Sequence, residues 1–267
     1  MEQSRGTRTA LRIASGLILA FIYAPIVVIL IYGFNASQVQ TWPLRGLTLE
    51  WFPKALGDRG VREALWTSLQ AAFGATAVAL VLGSLIAFGV QRYRFFGRES
   101  ISFLVILPIA LPGIVTGVAL NSAFRTFGID LGLLTVIVGH ATFCIVVIYN
   151  NVIARLRRTA RSTEEASMDL GADTFQTFRR ITLRSIGTAL LAGGLLAFAL
   201  SFDEIIVTTF TSGAATKTLP IWIFSNYSNR SALPLVNVAA ILVLLVSVVP
   251  VYLAARLTRD PGAVGRT

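Results

Sequence analysis

Charged residues are scarce in this chain of 267 amino acids, at 13% against 55% hydrophobic residues. A soluble domain of this size carries about a quarter charged residues. The mean hydropathy is +0.73, and the hydrophobic residues are gathered in long runs. The composition therefore excludes a soluble globular protein and indicates an integral membrane protein, embedded in a lipid bilayer.

The chain also has few side chains that could carry chemistry. Cys144 is its one cysteine, which excludes an internal disulfide, and His140 is its one histidine, which leaves a metal ion without a set of ligands. No Gly-x-x-x-x-Gly-Lys-Ser/Thr loop is present to hold the phosphates of ATP, and no nucleophile stands beside a base. We therefore expect neither an enzyme nor a bound cofactor or metal.

Long apolar runs predict an all-α integral membrane protein with six transmembrane helices in a single domain over residues 1–267. The predicted spans are residues 11–34, 64–90, 101–124, 131–154, 185–211 and 238–255. The second span is rich in Ala and Gly, so we expect it to pack inside a helix bundle. The third contains Pro108, Pro112 and Gly113, so we expect it to be bent.

The formal net charge of +10 is unevenly distributed along the chain. Sixteen of the twenty-three Lys and Arg residues fall in the amino-terminal tail, the turn around Arg92, the loop of residues 155–184 and the carboxyl-terminal tail. Basic residues beside membrane spans mark the cytoplasmic side. We therefore expect both termini and the 155–184 loop to be cytoplasmic, and we expect no nucleic-acid partner.

The 155–184 loop is the most charged part of the chain, and its pattern predicts two short helices joined at a glycine. Ser162 and Glu165 have the spacing of a capping box for the first helix. Gly171 can adopt the left-handed conformation that ends that helix.

The second predicted helix of this loop repeats the capping pattern with Asp173 and Gln176. It carries Phe175, Phe178 and Ile181 at helical spacing. A capped hairpin with exposed aromatic side chains between membrane spans predicts a docking surface for a soluble partner.

Asp203 and Glu204 are adjacent within the fifth predicted span. A carboxylate in hydrocarbon costs roughly 2.5–3.5 kcal/mol on insertion scales, unless it faces a cavity or a partner. On a continuous helix these neighbours project about 100° apart. We therefore expect one acid to line a pathway and the other to pair with a cation; the alternative, that both lie in water at the membrane edge, stays open.

The central loop resembles the EAA loop of ABC importer permeases. Glu165-Ala166-Ser167, Gly171 and Ile181-Thr182-Leu183 match the spacing of that family throughout, with Ser167 in place of an Ala and Arg184 in place of a Pro. The resemblance implies a coupling helix that sits in a cleft of a cytoplasmic ATPase. The implied coupling residues are Glu165, Ala166, Ser167, Gly171, Ala172, Asp173, Phe175 and Phe178.

The fifth span resembles the corresponding segment of polyamine-type importer permeases of the spermidine/putrescine type. The resemblance is carried by Ser201-Phe202-Asp203-Glu204, by Phe210 and by Thr218-Leu219-Pro220. It implies a small cationic substrate, putrescine or spermidine, and a substrate pathway that includes Ser201, Asp203 and Glu204.

The resemblance extends over about residues 11–256 and implies a type I ABC importer permease fold in a bacterial inner membrane. The implied partners are an ATPase subunit dimer, a second related permease subunit and a periplasmic substrate-binding protein. An importer for an opine, an amino acid or an aminophosphonate has similar motifs and stays an alternative. A secondary transporter with the acids as a proton relay is less favoured, because no inverted repeat is evident. A membrane scaffold would leave the two costly acids unexplained.

Overall fold

The computed structural model describes residues 5–258. Residues 1–4 and those from Arg259 onward, which include Arg259 and Arg266 of the predicted basic tail, lie outside the described part. The described chain is helical, and its one isolated β-bridge joins Asn35 to Leu47. The helices are α1 Arg5–Gly33, α2 Trp51–Gly57, α3 Arg59–Arg92, α4 Arg98–Ala110, α5 Gly113–Thr126, α6 Leu133–Arg158, α7 Ser162–Asp169, α8 Thr174–Thr177, α9 Leu183–Phe202, α10 Ile206–Thr211, α11 Leu219–Asn226 and α12 Leu233–Thr258.

Among the described residues, five helical segments are long and apolar enough to cross a membrane. They are Gly6–Gly33, Arg59–Arg92, Leu133–Arg158, Thr174–Phe202 and Leu233–Thr258, and a bent pair formed by α4 and α5 meets the same criterion. The all-α prediction is confirmed, and the number of spans is six when the bent pair counts as one.

The bend predicted in the third span lies between α4 and α5, whose axes differ by 106°. Leu111 has an extended conformation there, with φ −82° and ψ 144°. Pro112 explains the break, because its ring disfavours a helical conformation of the preceding residue and its nitrogen has no hydrogen to donate. Pro108, by contrast, lies inside α4 without ending it.

The described chain forms two compact units, of which the smaller contains residues 5–61 and Ile223–Leu242. Trp51, Ala55 and Val238 form its buried apolar cluster. The indole of Trp51 donates a hydrogen bond of 2.8 Å to the carbonyl oxygen of Asn35. The apolar side chains of α1 are mostly exposed, as expected for a helix whose neighbours include lipid or another subunit.

The larger unit contains Arg62–Trp222 and residues 243–258 and is organised around α6. This helix packs along α9 and also contacts α4, α5 and α10. The small residues of α3 face the same core, since Ala75, Ala79 and Ala87 have no exposed surface. The prediction that the Ala- and Gly-rich span packs inside a bundle is confirmed for this face, whereas Phe73, Val81 and Leu85 on α3 are exposed.

The fifth predicted span is not one continuous helix over residues 185–211. The helix starts earlier, at Thr174, passes through a π-helical turn over Phe178–Thr182 and ends at Phe202. A separate short helix, α10, follows from Ile206. The expected 100° splay of Asp203 and Glu204 on a helix is therefore wrong, because both acids lie in the break between α9 and α10.

Candidate functional site

Glu204 lies in the break between α9 and α10. The backbone amides at the start of α10 have no helical carbonyl to bond to, and the side chain of Glu204 accepts their hydrogen bonds instead. Its carboxylate oxygens accept hydrogen bonds of 2.9 Å from the backbone amides of Val207 and Thr208, the first turn of α10. The hydroxyl of Thr208 also lies 3.0 Å from the same carboxylate. Glu204 therefore caps α10, which is a local role that the expectation of a continuous helix did not include.

His140, on α6, joins the two sides of the break. Its Nδ1 lies 2.7 Å from the hydroxyl of Ser201 on α9, and its Nε2 lies 2.8 Å from the hydroxyl of Thr208 on α10. The same Nε2 lies 3.5 Å from a carboxylate oxygen of Glu204. His140, Ser201 and Thr208 are all buried. We call His140, Ser201, Glu204 and Thr208 the break cluster.

One arrangement of protons satisfies the whole break cluster. A neutral imidazole has one donor nitrogen and one acceptor nitrogen. Ser201 then donates to Nδ1 of His140, Nε2 donates to the hydroxyl of Thr208, and Thr208 donates to the carboxylate of Glu204. Each buried polar group has a partner, which is what a low-dielectric environment requires.

Helix α10 is also attached to α5 and α6 beyond the break cluster. Asn121 donates a hydrogen bond of 2.5 Å to the carbonyl oxygen of Phe210, and Thr135 donates one of 2.7 Å to that of Thr211. A Cβ atom at Gly117 would come within 2.6 Å of the ring of Phe210, so α5 can approach α10 this closely only with glycine there.

Asp203 differs from the break cluster in its surroundings. Asp203 is exposed, and its side chain makes no ion pair within residues 5–258. Of the three predicted pathway residues, Ser201 and Glu204 are therefore brought together through His140, whereas Asp203 stands apart. Sequence reasoning set His140 aside as a lone histidine; its position in an apolar span was the signal that a partner was needed.

The loop of residues 155–184, which we call the central segment, contains the predicted glycine turn and one of its two predicted helix caps. Gly171 has φ +88°, in the left-handed region, and α7 ends just before it. The side chain of Asp173 accepts a hydrogen bond of 2.8 Å from the amide of Gln176 and so caps α8. Both features confirm the sequence prediction.

The predicted capping box at Ser162 is wrong. Arg161 occupies the cap position of α7, no side chain caps it, and Ser162 is the first helical residue. Glu165 does not reach back to the backbone of Ser162, because its carboxylate lies 3.3 Å from Nε of Arg161 instead. A salt bridge one helical turn away competes with the capping bond.

The second predicted helix of the central segment is not a separate short helix. It continues from Thr174 through the π-helical turn into α9. No proline interrupts the chain between Thr174 and Phe202, and Arg184 retains the amide hydrogen that a proline there would remove. The residues from Thr174 and α9 therefore form one uninterrupted helical segment.

Glu164, which was not among the predicted site residues, attaches the central segment to two helices. It forms an ion pair with Arg92 at the end of α3. It also accepts a hydrogen bond of 2.8 Å from the hydroxyl of Thr182 in the π-helical turn. No sequence pattern relates these residues, because Arg92 and Glu164 are 72 positions apart.

The predicted coupling residues fall into two groups. Glu165, Ala166, Gly171, Asp173, Phe175 and Phe178 are exposed. Ser167 and Ala172 are partly buried, with the hydroxyl of Ser167 3.2 Å from that of Thr177. The ring of Phe178 packs against Phe88 of α3 at 5.4 Å, so this aromatic residue contacts its own chain.

Leu170 and Phe175 dominate the exposed apolar surface of the central segment, with 90% and 69% of their surfaces accessible. Met168 adds a further 45%-exposed apolar side chain. We call Met168, Leu170 and Phe175 the coupling patch. Exposed apolar side chains around a capped turn are typical of a protein contact surface.

Comparison with known proteins identifies relatives over most of the chain. Residues 79–260 match the model of the family described as binding-protein-dependent transport system inner membrane component. The putrescine transport system permease protein PotI of Escherichia coli K12 is 36% identical over 248 residues, covering 88% of this chain and 87% of PotI. The spermidine/putrescine transport system permease protein PotC of the same organism is 32% identical over 244 residues, covering 91% of each chain.

Solved structures share the fold at lower sequence identity. A chain of a bacterial ABC transporter involved in the import of alginate has a TM-score of 0.70 at 14% identity, covering 96% of each chain. A chain of the MetNI methionine ABC transporter has a TM-score of 0.57 at 20% identity, covering 75% of this chain and 95% of that one. These likenesses, with the family match and the relatives, lead to one conclusion: this chain belongs to the family of inner membrane components of binding-protein-dependent transport systems, the membrane permeases of ABC importers.

Proposed function

We propose that this permease imports polyamines, putrescine or spermidine. The observation that carries the proposal is the identity of 36% and 32% to permeases named for putrescine and for spermidine/putrescine transport, over nearly the whole chain. A permease of Salmonella typhimurium named as a putative 2-aminoethylphosphonate transport protein is 28% identical. An aminophosphonate carries a negative phosphonate group, which the carboxylate of Asp203 would repel.

Asp203 is the residue that we assign to substrate contact. A polyamine has ammonium groups that lose water on entering a pathway, and a fixed carboxylate offsets part of that cost. Asp203 is exposed and has no ionic partner in the described residues, so its charge is available to a ligand. Glu204 is occupied as the cap of α10. The adjacent acids therefore have different roles, one for the substrate and one for the fold.

Asp203→Asn is expected to slow putrescine uptake about 10- to 100-fold, because a hydrogen bond to a charged group contributes roughly 1.5–3 kcal/mol. The measurement is uptake of radiolabelled putrescine by cells that carry the complete importer. Asp130→Asn is the matched control, because it removes one exposed acid in the turn between α5 and α6. Uptake at the wild-type rate by Asp203→Asn would contradict the assignment, and competition by 2-aminoethylphosphonate would favour the alternative substrate.

In polyamine import, the break cluster is proposed to stabilise one conformation of the break between α9 and α10. His140→Leu is expected to lower the midpoint of thermal unfolding in detergent, because it leaves the buried hydroxyl of Ser201 without its ring partner, at about 1–3 kcal/mol. The hydroxyl of Thr208 keeps its hydrogen bond to Glu204.

The double variant His140→Leu, Ser201→Ala is the control for this prediction. It removes the unpaired hydroxyl as well and should recover most of the lost stability, while Thr208 keeps its bond to Glu204. Equal unfolding midpoints for the single and double variants would show that the hydrogen bond between Ser201 and His140 does not stabilise the break.

The coupling patch is proposed to dock onto a cytoplasmic ATPase subunit, present in two copies. ATP-driven closure of the ATPase dimer would move α7, and Glu164 would pass that movement to the π-helical turn and α9 through its bond to Thr182. A second related permease is proposed to cover the apolar groove of about 1430 Å³ along α3 and α9. Together with a periplasmic binding protein, these subunits would form the importer.

Leu170→Ser and Phe175→Ser are expected to reduce co-purification of the ATPase subunit at least fivefold, since truncating a central interface contact costs more than about 1 kcal/mol. Both residues are exposed, so the permease itself should accumulate normally. Phe127→Ser is the matched control, because Phe127 is 78% exposed after α5, away from the central segment in sequence. Unchanged co-purification and unchanged ATP-driven uptake would exclude the coupling patch as the docking surface.

The proposed orientation has both termini and the central segment in the cytoplasm, as the distribution of Lys and Arg favours. Ser100 and Ser228 are both exposed and fall on opposite predicted sides. In a Cys144→Ala background, Ser100→Cys should resist an impermeant thiol reagent added to intact spheroplasts, and Ser228→Cys should react. The reverse labelling would overturn the orientation and the docking proposal with it.

A further inference from the structure

A small polar cavity of about 370 Å³ lies where α3, α4 and α6 meet the connecting segments. Arginine side chains supply most of its lining: Arg92, Arg94, Arg98, Arg157 and Arg161. The described residues that line it include no Asp or Glu. We call these five side chains the arginine pocket.

The arginine pocket holds more positive charge than the protein neutralises. Arg92 pairs with Glu164, and Arg161 lies beside Glu165. Arg94, Arg98 and Arg157 make no ion pair within residues 5–258. An arginine side chain keeps its charge at any physiological pH, so the repulsion among the three cannot be relieved by losing a proton. Arg94 and Arg157 are exposed and Arg98 is partly buried, so water screens part of this repulsion, and a bound anion would offset more of it.

The position of the arginine pocket along the spans indicates where that anion comes from. Arg92 is the last residue of α3, and Arg157 lies in the last turn of α6. Both side chains therefore stand at the ends of long apolar helices. The aromatic side chains of Tyr93 and Phe96 are 69% and 105% exposed beside them. Aromatic and basic residues at the end of a span mark the level of the lipid headgroups.

Exposed apolar side chains follow the arginine pocket along α4. The helix begins at Arg98, and its next turns expose Ile101, Phe103 and Leu104 by 38%, 67% and 58%. A lipid whose phosphate entered the pocket could place its acyl chains against these side chains. A soluble phosphate or an acidic protein surface would leave them uncovered.

We propose that the arginine pocket binds the phosphodiester of an anionic membrane lipid, such as phosphatidylglycerol. Guanidinium groups match phosphate oxygens with two parallel hydrogen bonds, and basic pockets between membrane helices bind anionic headgroups. This site is independent of the transported substrate, because it lies at the ends of α3, α4 and α6 rather than at the break between α9 and α10.

The test measures lipid binding to the full-length chain within its purified importer complex by native mass spectrometry. The delipidated complex is titrated with short-chain phosphatidylglycerol, with phosphatidylcholine of the same chain length, and with soluble glycerol phosphate. The variant is Arg94→Gln, Arg98→Gln, Arg157→Gln, which leaves the ion-paired Arg92 and Arg161 in place. The matched control is Arg179→Gln, Arg180→Gln, Arg184→Gln, which removes equal charge from exposed positions outside the pocket.

The wild type should prefer phosphatidylglycerol over phosphatidylcholine. The pocket variant should bind phosphatidylglycerol on the order of 100-fold more weakly, from about fivefold for each arginine near the membrane surface. The control should stay within about twofold of the wild type. Arg94→Lys, Arg98→Lys, Arg157→Lys keeps the charge and tests the site if the Gln variant fails to fold; it should lose less than tenfold.

Four results would overturn the proposal. Equal affinity for the two lipids, or equal losses in the pocket variant and the control, would show that no anion site exists there. Competition by glycerol phosphate at the concentration of the lipid would assign the pocket to a soluble phosphate compound. Loss of the ATPase subunit from the pocket variant, with lipid affinity unchanged, would make the arginine pocket a protein contact.

Discussion

The carboxylate of Glu204 stabilises the break between α9 and α10, just after the end of the fifth membrane-spanning helix. Hydrocarbon offers no hydrogen bonds to exposed backbone groups, so a broken helix is stable only where the protein supplies them. Glu204 supplies two to the first turn of α10. The close contact of Gly117 in α5 with Phe210 and the ring of His140 also hold α10 against its neighbours. The shape of the break that contains Asp203 therefore depends on the capping interaction together with these two contacts.

Two helices connect the break with the central segment in the proposed mechanism. Helix α9 leads from the π-helical turn to Asp203, and its 20 residues correspond to about 30 Å of helix. Helix α6 runs beside it and carries His140, while Arg155 of α6 donates a hydrogen bond of 2.9 Å to the carbonyl oxygen of Ser185. π-Helical turns are less regular than α-helix and are frequent at functional sites. The turn at Phe178–Thr182 lies where a movement of α7 would enter α9.

Local patterns in the sequence predicted the features that depend on local chemistry. The bend at Pro112, the left-handed Gly171 and the cap at Asp173 each follow from one residue's conformational or hydrogen-bonding properties. The partners of His140 are 61 and 68 positions away from it, and no periodicity links them. The break after Phe202 was missed because an apolar run has the same composition whether or not its helix is continuous.

The two adjacent acids no longer need a common explanation. The cost of placing Glu204 near hydrocarbon is offset within the chain, by amides, a hydroxyl and a nearby imidazole. Asp203 has no such compensation in the described residues, so its cost has to be offset by water, by a partner subunit or by a cation that passes it. In the proposed function a polyamine supplies that cation, and Asp203 lies in the same break that Glu204 stabilises by capping α10.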